Sequence, residues 1–167
     1  GLIYNKKIFN IFDKQHKLIL KRNQRVIEEL IHESVKTKAK IVTEDERELG
    51  IRAILNFGHT YGHAIEAIHN YKNILHGEAV AMGMRMASKM SMLEGHLNEK
   101  AYKKIINVFD ALGFPKNTSN NYSDLKKFIM NDKKVKGGNI NLILLKGIGL
   151  SFQTQKFNFK NFKKSFS

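Results

Sequence analysis

Residues 52–66 read RAILNFGHTYGHAIE, and they decide how the rest of the chain is interpreted. His59 and His63 are four residues apart, so on a helix both imidazoles lie on one face. Such a pair can bind one divalent metal ion, although the spacing alone is a weak signal, because many such pairs are ordinary surface or core residues. Gly58 and Gly62 have no side chains, so either a ligand or a closely packed neighbouring helix can approach this helix there.

A second stretch, residues 75–84, reads LHGEAVAMGM and supplies a third imidazole. His76 stands at the predicted start of the next helix. The connection between the two helices, about 70–75, is short and makes them neighbours. His76 can therefore face either His59 or His63.

Two carboxylates could orient these rings. Glu66 lies one turn beyond His63 and could hold its second ring nitrogen. Glu78 could do the same for His76, or it could complement the positive end of its helix. The sequence contains no Cys, so imidazoles without a thiolate, together with a carboxylate and an open position, favour a catalytic over a structural zinc site.

Apolar residues recur with the helical period along much of the chain. The predicted helices cover about 16–43, 56–70 with Asn56 as the cap, 75–93, 98–112, and 123–130 with Ser123 as the cap. A strand is predicted over 139–145 and a short amphipathic tail over 156–167. A glycine-rich dinucleotide loop is absent from the sequence. The fold class is therefore mainly α, a helical bundle with a short β element near the C-terminal end, in one domain over 1–167.

Composition excludes some functions and leaves others open. The 167 residues are 42% hydrophobic, without an apolar run of about 18 residues, so no membrane span is expected. The formal net charge of +14 comes mostly from Lys spread along the chain, which favours a solvated surface over nucleic-acid binding. A basic helical nucleic-acid module stays open as an alternative. The start at Gly1 lacks an initiator Met and an apolar leader, which favours the cytoplasm and a chain beginning inside a longer protein or after cleavage.

With both stretches in view, the sequence resembles the 3-dehydroquinate synthases. The likeness is strong over about 38–93 and moderate over 131–149, where residues 132–134 read DKK and residues 143–149 read ILLKGIG. The resemblance implies the C-terminal α-helical domain of a two-domain enzyme, with the NAD-binding α/β domain outside this chain. It also implies that the isolated chain is inactive.

The family converts a phosphorylated keto acid, 3-deoxy-arabino-heptulosonate 7-phosphate, into 3-dehydroquinate and phosphate on the shikimate route to aromatic amino acids. The resemblance implies NAD+ and Zn2+ (or Co2+) as cofactors and a homodimer as the full-length assembly. An alternative is another sugar-phosphate cyclase of the valiolone or inosose type. A metal-dependent alcohol dehydrogenase fits the two stretches less well.

The resemblance also implies roles for individual residues. His59 and His76 correspond to metal ligands, and the third ligand of the family is a Glu expected upstream of Gly1. His63 corresponds to a histidine that contacts substrate. The other positions that correspond to substrate-binding or catalytic residues are Lys38, Arg52, Asn56 and the pair Lys133 and Lys134, of which Lys134 is favoured.

Overall fold

The computed structural model describes residues 1–48, 50–116, 120–131 and 140–166. Its elements in chain order are α1 (Lys6–Leu20), α2 (Gln24–Glu44), a 3-10 helix (Ile51–Asn56), α3 (His59–Ile68), α4 (His76–Leu93), α5 (Glu99–Ala111), α6 (Tyr122–Asn131), β1 (Leu142–Gly147), β2 (Leu150–Thr154) and α7 (Phe159–Lys164). The prediction of a mainly α bundle with a short β element near its end is confirmed.

The single long helix predicted over 16–43 is wrong, because α1 and α2 are separate helices. Arg22 adopts a left-handed backbone conformation with φ of 55°, which a continuous α-helix cannot contain. The Asn23 side chain then accepts a hydrogen bond from the Val26 backbone N–H at 3.2 Å and caps α2. The two helices therefore form a hairpin, and Ile8, Ile11, Val26 and Leu30 make a small apolar cluster between them.

The predicted cap at Asn56 is also wrong. The segment that holds Asn56 forms the 3-10 helix, and α3 starts after Gly58, whose φ of +81° lies in the left-handed region that glycine tolerates. Ser123 likewise lies inside α6, which begins at Tyr122. Both helices therefore start at positions other than the predicted ones. The backbone conformation of the turn, and not residue type alone, selects the residue that caps a helix.

Helices α3 and α4 cross at a contact between glycines. A Cβ on Gly83 would collide with the carbonyl oxygen of Gly58 and lie 2.9 Å from the backbone nitrogen of Gly62. The Gly62 position in turn lies against the backbone of Val80. The small residues that the sequence places around the histidines therefore serve close helix packing.

α4 lies in the centre of the main core. Residues on several of its faces are buried, including Ala79, Met82, Ala87 and Met90. Within the described ranges, no helix is both long and apolar enough to cross a bilayer.

The two strands form an antiparallel hairpin near the end of the chain. The predicted strand is confirmed in β1, whereas β2 was not anticipated. Ser91 on α4 anchors the hairpin, because its Oγ accepts a hydrogen bond from the Leu145 backbone N–H at 2.9 Å. The hairpin also holds the start of the chain: the Gly149 N–H donates to the Leu2 carbonyl oxygen at 2.8 Å, and the Ser151 hydroxyl donates to the Ile3 carbonyl oxygen at 2.8 Å.

Candidate metal and substrate site

Three imidazoles meet where α3 and α4 begin. The ring centroid of His59 lies 5.4 Å from that of His63 and 5.6 Å from that of His76, and the His63 and His76 centroids are 6.4 Å apart. The expectation that His76 faces the α3 pair is thus met. The two distances from His59 are nearly equal, so they do not decide whether His63 or His76 would share a metal ion with His59. The contacts that orient each ring must decide it.

A buried carboxylate holds His76. Glu66 is only 8% exposed, and its Oε1 lies 3.0 Å from Nδ1 of His76. This contact fixes the ring orientation and leaves Nε2 of His76 as the available nitrogen, an arrangement that metal-binding histidines commonly show. The prediction that Glu66 orients His63 is wrong, because its carboxylate reaches across to α4. Glu78 instead accepts a hydrogen bond from the Leu75 backbone N–H at 3.1 Å and caps α4.

The second imidazole is oriented by backbone. Nδ1 of His59 lies 3.4 Å from the carbonyl oxygen of Phe57, a contact at the long end of the hydrogen-bond range. In both His59 and His76, Nδ1 of the imidazole has an oxygen partner that orients the ring. Imidazoles oriented in this way suit zinc or a similar divalent metal. In the part of the chain that the structure describes, no group of three or more His, Asp or Glu side chains could hold a metal ion by itself.

Arg52 and Asn56 lie on the 3-10 helix that precedes α3, and their side chains contact the turn before it. Nη1 of Arg52 donates to the Glu46 carbonyl oxygen at 2.7 Å, and Nδ2 of Asn56 donates to a Glu48 carboxylate oxygen at 2.8 Å. Both side chains are half-buried. The predicted substrate-binding residues are therefore positioned here by protein acceptors that an anionic substrate would have to replace.

Asp45 organises the same turn and was missed by the sequence interpretation. Its Oδ2 accepts hydrogen bonds from the backbone N–H of Gly50 at 2.8 Å and of Arg52 at 2.9 Å. An Asp in a charged, glycine-containing turn is the signal that could have found it, because Asp side chains commonly accept from backbone a few residues further on.

Of the three lysines predicted to bind substrate, one lies in the described part of the chain and two lie outside it. Lys38 is exposed on α2, seven residues before the Asp45 turn. Lys133 and Lys134 lie outside the described residues. The structure therefore brings together the three histidines and Glu66, and the 3-10 helix directly precedes α3 in the chain.

Fold and site together define a class: a helical domain that presents paired imidazoles and a buried orienting carboxylate beside an Arg- and Asn-bearing 3-10 helix. Comparison with solved structures shows the same fold in ValA (2-epi-5-epi-valiolone synthase) from Streptomyces hygroscopicus subsp. jinggangensis, with NAD+ and Zn2+ bound. The TM-score is 0.87 at 18% identity, over 99% of this chain and 46% of that one. A 2-deoxy-scyllo-inosose synthase complexed with carbaglucose-6-phosphate, NAD+ and Co2+ aligns with a TM-score of 0.74 at 24% identity, over 85% of this chain and 42% of that one.

The family model for the 3-dehydroquinate synthase C-terminal region matches residues 1–135, and the chain belongs to this family. It is 42% identical over 149 residues to a 3-dehydroquinate synthase of Dictyoglomus thermophilum, which covers 89% of this chain and 42% of that protein. It is 37% identical over 162 residues to a 3-dehydroquinate synthase of Thermodesulfovibrio yellowstonii, which covers 96% of this chain and 44% of that protein. The chain thus spans less than half the length of the curated relatives it matches.

Proposed function

We propose that this chain is the metal- and substrate-binding part of a 3-dehydroquinate synthase, the enzyme that converts 3-deoxy-arabino-heptulosonate 7-phosphate to 3-dehydroquinate and phosphate. The observation that carries the proposal is His76, locked by the buried Glu66 and set beside His59 within stretches typical of that family. Relatives named 3-dehydroquinate synthase share 37–42% identity with the chain, against 18–24% for the aligned valiolone and inosose synthases. The substrate of the former group is therefore favoured.

In this proposal His59 and His76 hold the divalent metal, zinc or cobalt, and a carboxylate from elsewhere in the whole protein completes the site. A divalent metal held there would supply Lewis-acid chemistry: it would polarise a substrate hydroxyl, so that the proton on its oxygen and the hydride on its carbon could leave, the hydride to NAD+. Glu66 stabilises the orientation of His76 and the tautomer that leaves its Nε2 to bind a metal. His63, on the same face as His59, stays off the metal and exchanges a proton with substrate.

The polar groups around the histidines bind and orient the substrate. The Arg52 guanidinium and the Asn56 amide bind its oxygen atoms after leaving their acceptors in the 45–48 turn. Arg52 suits a carboxylate or phosphate because its planar guanidinium can donate two parallel hydrogen bonds. Lys38 and one of the pair Lys133 and Lys134 supply further positive charge for a substrate that carries both groups.

The activity test uses the chain as its gene encodes it, with any residues that precede Gly1. Purified protein with Zn2+ and NAD+ should release phosphate from the heptulosonate phosphate, and should release much less from sedoheptulose 7-phosphate, which lacks the carboxylate. His59→Ala should abolish release. Comparable turnover of both substrates would contradict the assignment of substrate, and full activity of His59→Ala would contradict the assignment of the site.

The metal assignment has a test that does not depend on turnover. Glu66→Gln should weaken zinc binding by about 10- to 100-fold, the range that second-sphere carboxylates commonly support. Competition against a chromophoric chelator measures this affinity. Glu78→Gln is the matched control, because it makes the same substitution on α4 in a carboxylate that accepts a hydrogen bond from the Leu75 backbone N–H. Equal zinc affinity in Glu66→Gln and the unaltered protein would refute the role of Glu66.

We further propose that the full-length protein is a homodimer and works in the cytoplasm. The relatives named as biosynthetic synthases support the compartment. Sedimentation equilibrium of the full-length protein tests the dimer, and a monomer across the micromolar range would contradict it. Fractionation of cells tests the compartment, and recovery in the membrane fraction would contradict it.

A further inference from the structure

Asp45 joins α2 to the 3-10 helix, the two elements that carry Lys38 and Arg52. Its backbone N–H donates to the Ile41 carbonyl oxygen at 3.2 Å, and its φ of −149° ends the helical conformation of α2. Its carboxylate reaches forward to the start of the 3-10 helix, where Oδ2 accepts from the backbone N–H groups of Gly50 and Arg52. The same residue therefore ends one element and holds the beginning of the next.

The Asp45 carboxylate supplies the cap that the residue before the 3-10 helix does not. That residue is Gly50, which has no side chain and makes no side-chain capping hydrogen bond. The first N–H groups of a helix have no acceptor within it, and a carboxylate is a strong acceptor for them. The distances of 2.8 and 2.9 Å lie in the range of charge-assisted hydrogen bonds. Asp45 therefore fixes the backbone from which the Arg52 side chain extends.

The Arg52 guanidinium is held by the same turn. Its Nη1 donates to the carbonyl oxygen of Glu46, the residue that follows Asp45, at 2.7 Å. The backbone and the guanidinium of Arg52 are thus both attached to the end of α2. Lys38 lies on α2 seven residues before Asp45, which is about 10 Å along the helix axis. The Asp45 carboxylate therefore sets where Arg52 lies relative to Lys38.

We propose that Asp45 is a positioning residue for substrate binding, which acts through the Arg52 backbone to set the distance between the Arg52 guanidinium and the Lys38 ammonium. A substrate that carries a carboxylate and a phosphate presents two anionic groups at a limited range of separations, so its affinity depends on that distance. This inference rests on the proposed function, which makes Arg52 and Lys38 substrate-binding residues.

The test compares KM and kcat among variants of the chain as its gene encodes it, with Zn2+ and NAD+. Asp45→Ala removes the acceptor and should raise the KM for the heptulosonate phosphate about tenfold, with kcat within about twofold, because a binding group moves while the histidines stay in place. Asp45→Asn keeps a carbonyl oxygen at the same position and should restore most of the KM. Glu46→Ala is the matched control, because it removes an exposed carboxylate from the same turn and keeps the carbonyl that accepts from Arg52.

The outcomes separate positioning from stability and from the proposed function. A lower urea midpoint in Asp45→Ala with an unchanged KM would show a role in stability alone and overturn the proposal. An equal rise of KM in Glu46→Ala would overturn it as well, because any carboxylate of the turn would then have the same effect. Absence of phosphate release by the unaltered protein would instead refute the proposed function.

Amide hydrogen exchange measures the contact of Asp45 without turnover. The Gly50 and Arg52 amides should exchange about tenfold faster in Asp45→Ala than in the unaltered protein, because each loses its acceptor. Asp45→Asn should exchange close to the unaltered rate. Equal exchange in Asp45→Ala and the unaltered protein would show that the carboxylate does not hold the 3-10 helix, and the positioning role would fail even in an active synthase.

Discussion

Gly83→Ala tests the crossing of α3 and α4 on which the imidazole cluster depends. The new Cβ would collide with the Gly58 carbonyl oxygen and approach the Gly62 nitrogen to 2.9 Å. Both are backbone atoms, so no side chain can move aside and the helices must separate. Because His59 begins α3 and His76 begins α4, that separation also moves the two imidazoles apart.

The magnitude follows from two opposing terms. Overpacking in a close contact costs about 1–3 kcal/mol, and the upper end applies because the clash is with backbone. Replacing a helical Gly by Ala recovers up to about 1 kcal/mol of helix propensity. The net loss of unfolding free energy is therefore about 2 kcal/mol, which corresponds to a fall in Tm of about 4–8 °C for a domain of this size.

Gly77→Ala is the control on the same helix, because a Cβ at Gly77 would have no heavy atom within 4 Å. We expect it to leave the free energy of unfolding unchanged or raise it by up to about 1 kcal/mol. Urea denaturation of both variants measures the difference, and chelator competition measures the zinc affinity, which should fall in Gly83→Ala. If the two variants were equally stable, the close crossing would be refuted.

Two further changes test the anchors around α4. Ser91→Ala leaves the buried Leu145 N–H without its acceptor and should lower the unfolding free energy by about 1–3 kcal/mol in urea denaturation; a loss below about 0.3 kcal/mol would argue against this anchor. The Arg85 guanidinium holds the pKa of Asp110 below its usual 3.8, so the ionised carboxylate stabilises the fold above that pH and the contribution is lost as the pH falls through the lowered pKa. The urea midpoint of the protein should therefore fall at acidic pH, and it should fall less steeply in Asp110→Asn. The same fall in both proteins would contradict the ion pair between Arg85 and Asp110.

The helical architecture could be predicted because it depends on a local signal, apolar residues at the helical period. The centre of the bundle, α4, was predicted within one residue at its start. The break between α1 and α2 was missed because the apolar period continues through it. Asn is a residue type that commonly caps helices, and Asn23 does so here, but nothing in the residue type of Arg22 indicates its positive φ.

The meeting of the three histidines was predicted from the sequence, but the partner of Glu66 was not. The meeting of His59 and His76 follows from a short connection between adjacent helices. The partner of Glu66 does not, because sequence spacing favours His63 on the same helix while the carboxylate reaches His76 across the crossing. The second strand was missed because β2 is defined by its pairing with β1, and none of its own residues is fully buried.

The hairpin that holds Leu2 and Ile3 has a consequence for how the domain is synthesised. The contact between Ser151 and Ile3 joins residues 148 positions apart, so its loop closes only when nearly the whole domain is available. During translation Leu2 and Ile3 leave the ribosome well before the hairpin residues that donate hydrogen bonds to them have been synthesised. α1 and α2 can pair early through local contacts, whereas the edge formed by the first residues is completed last.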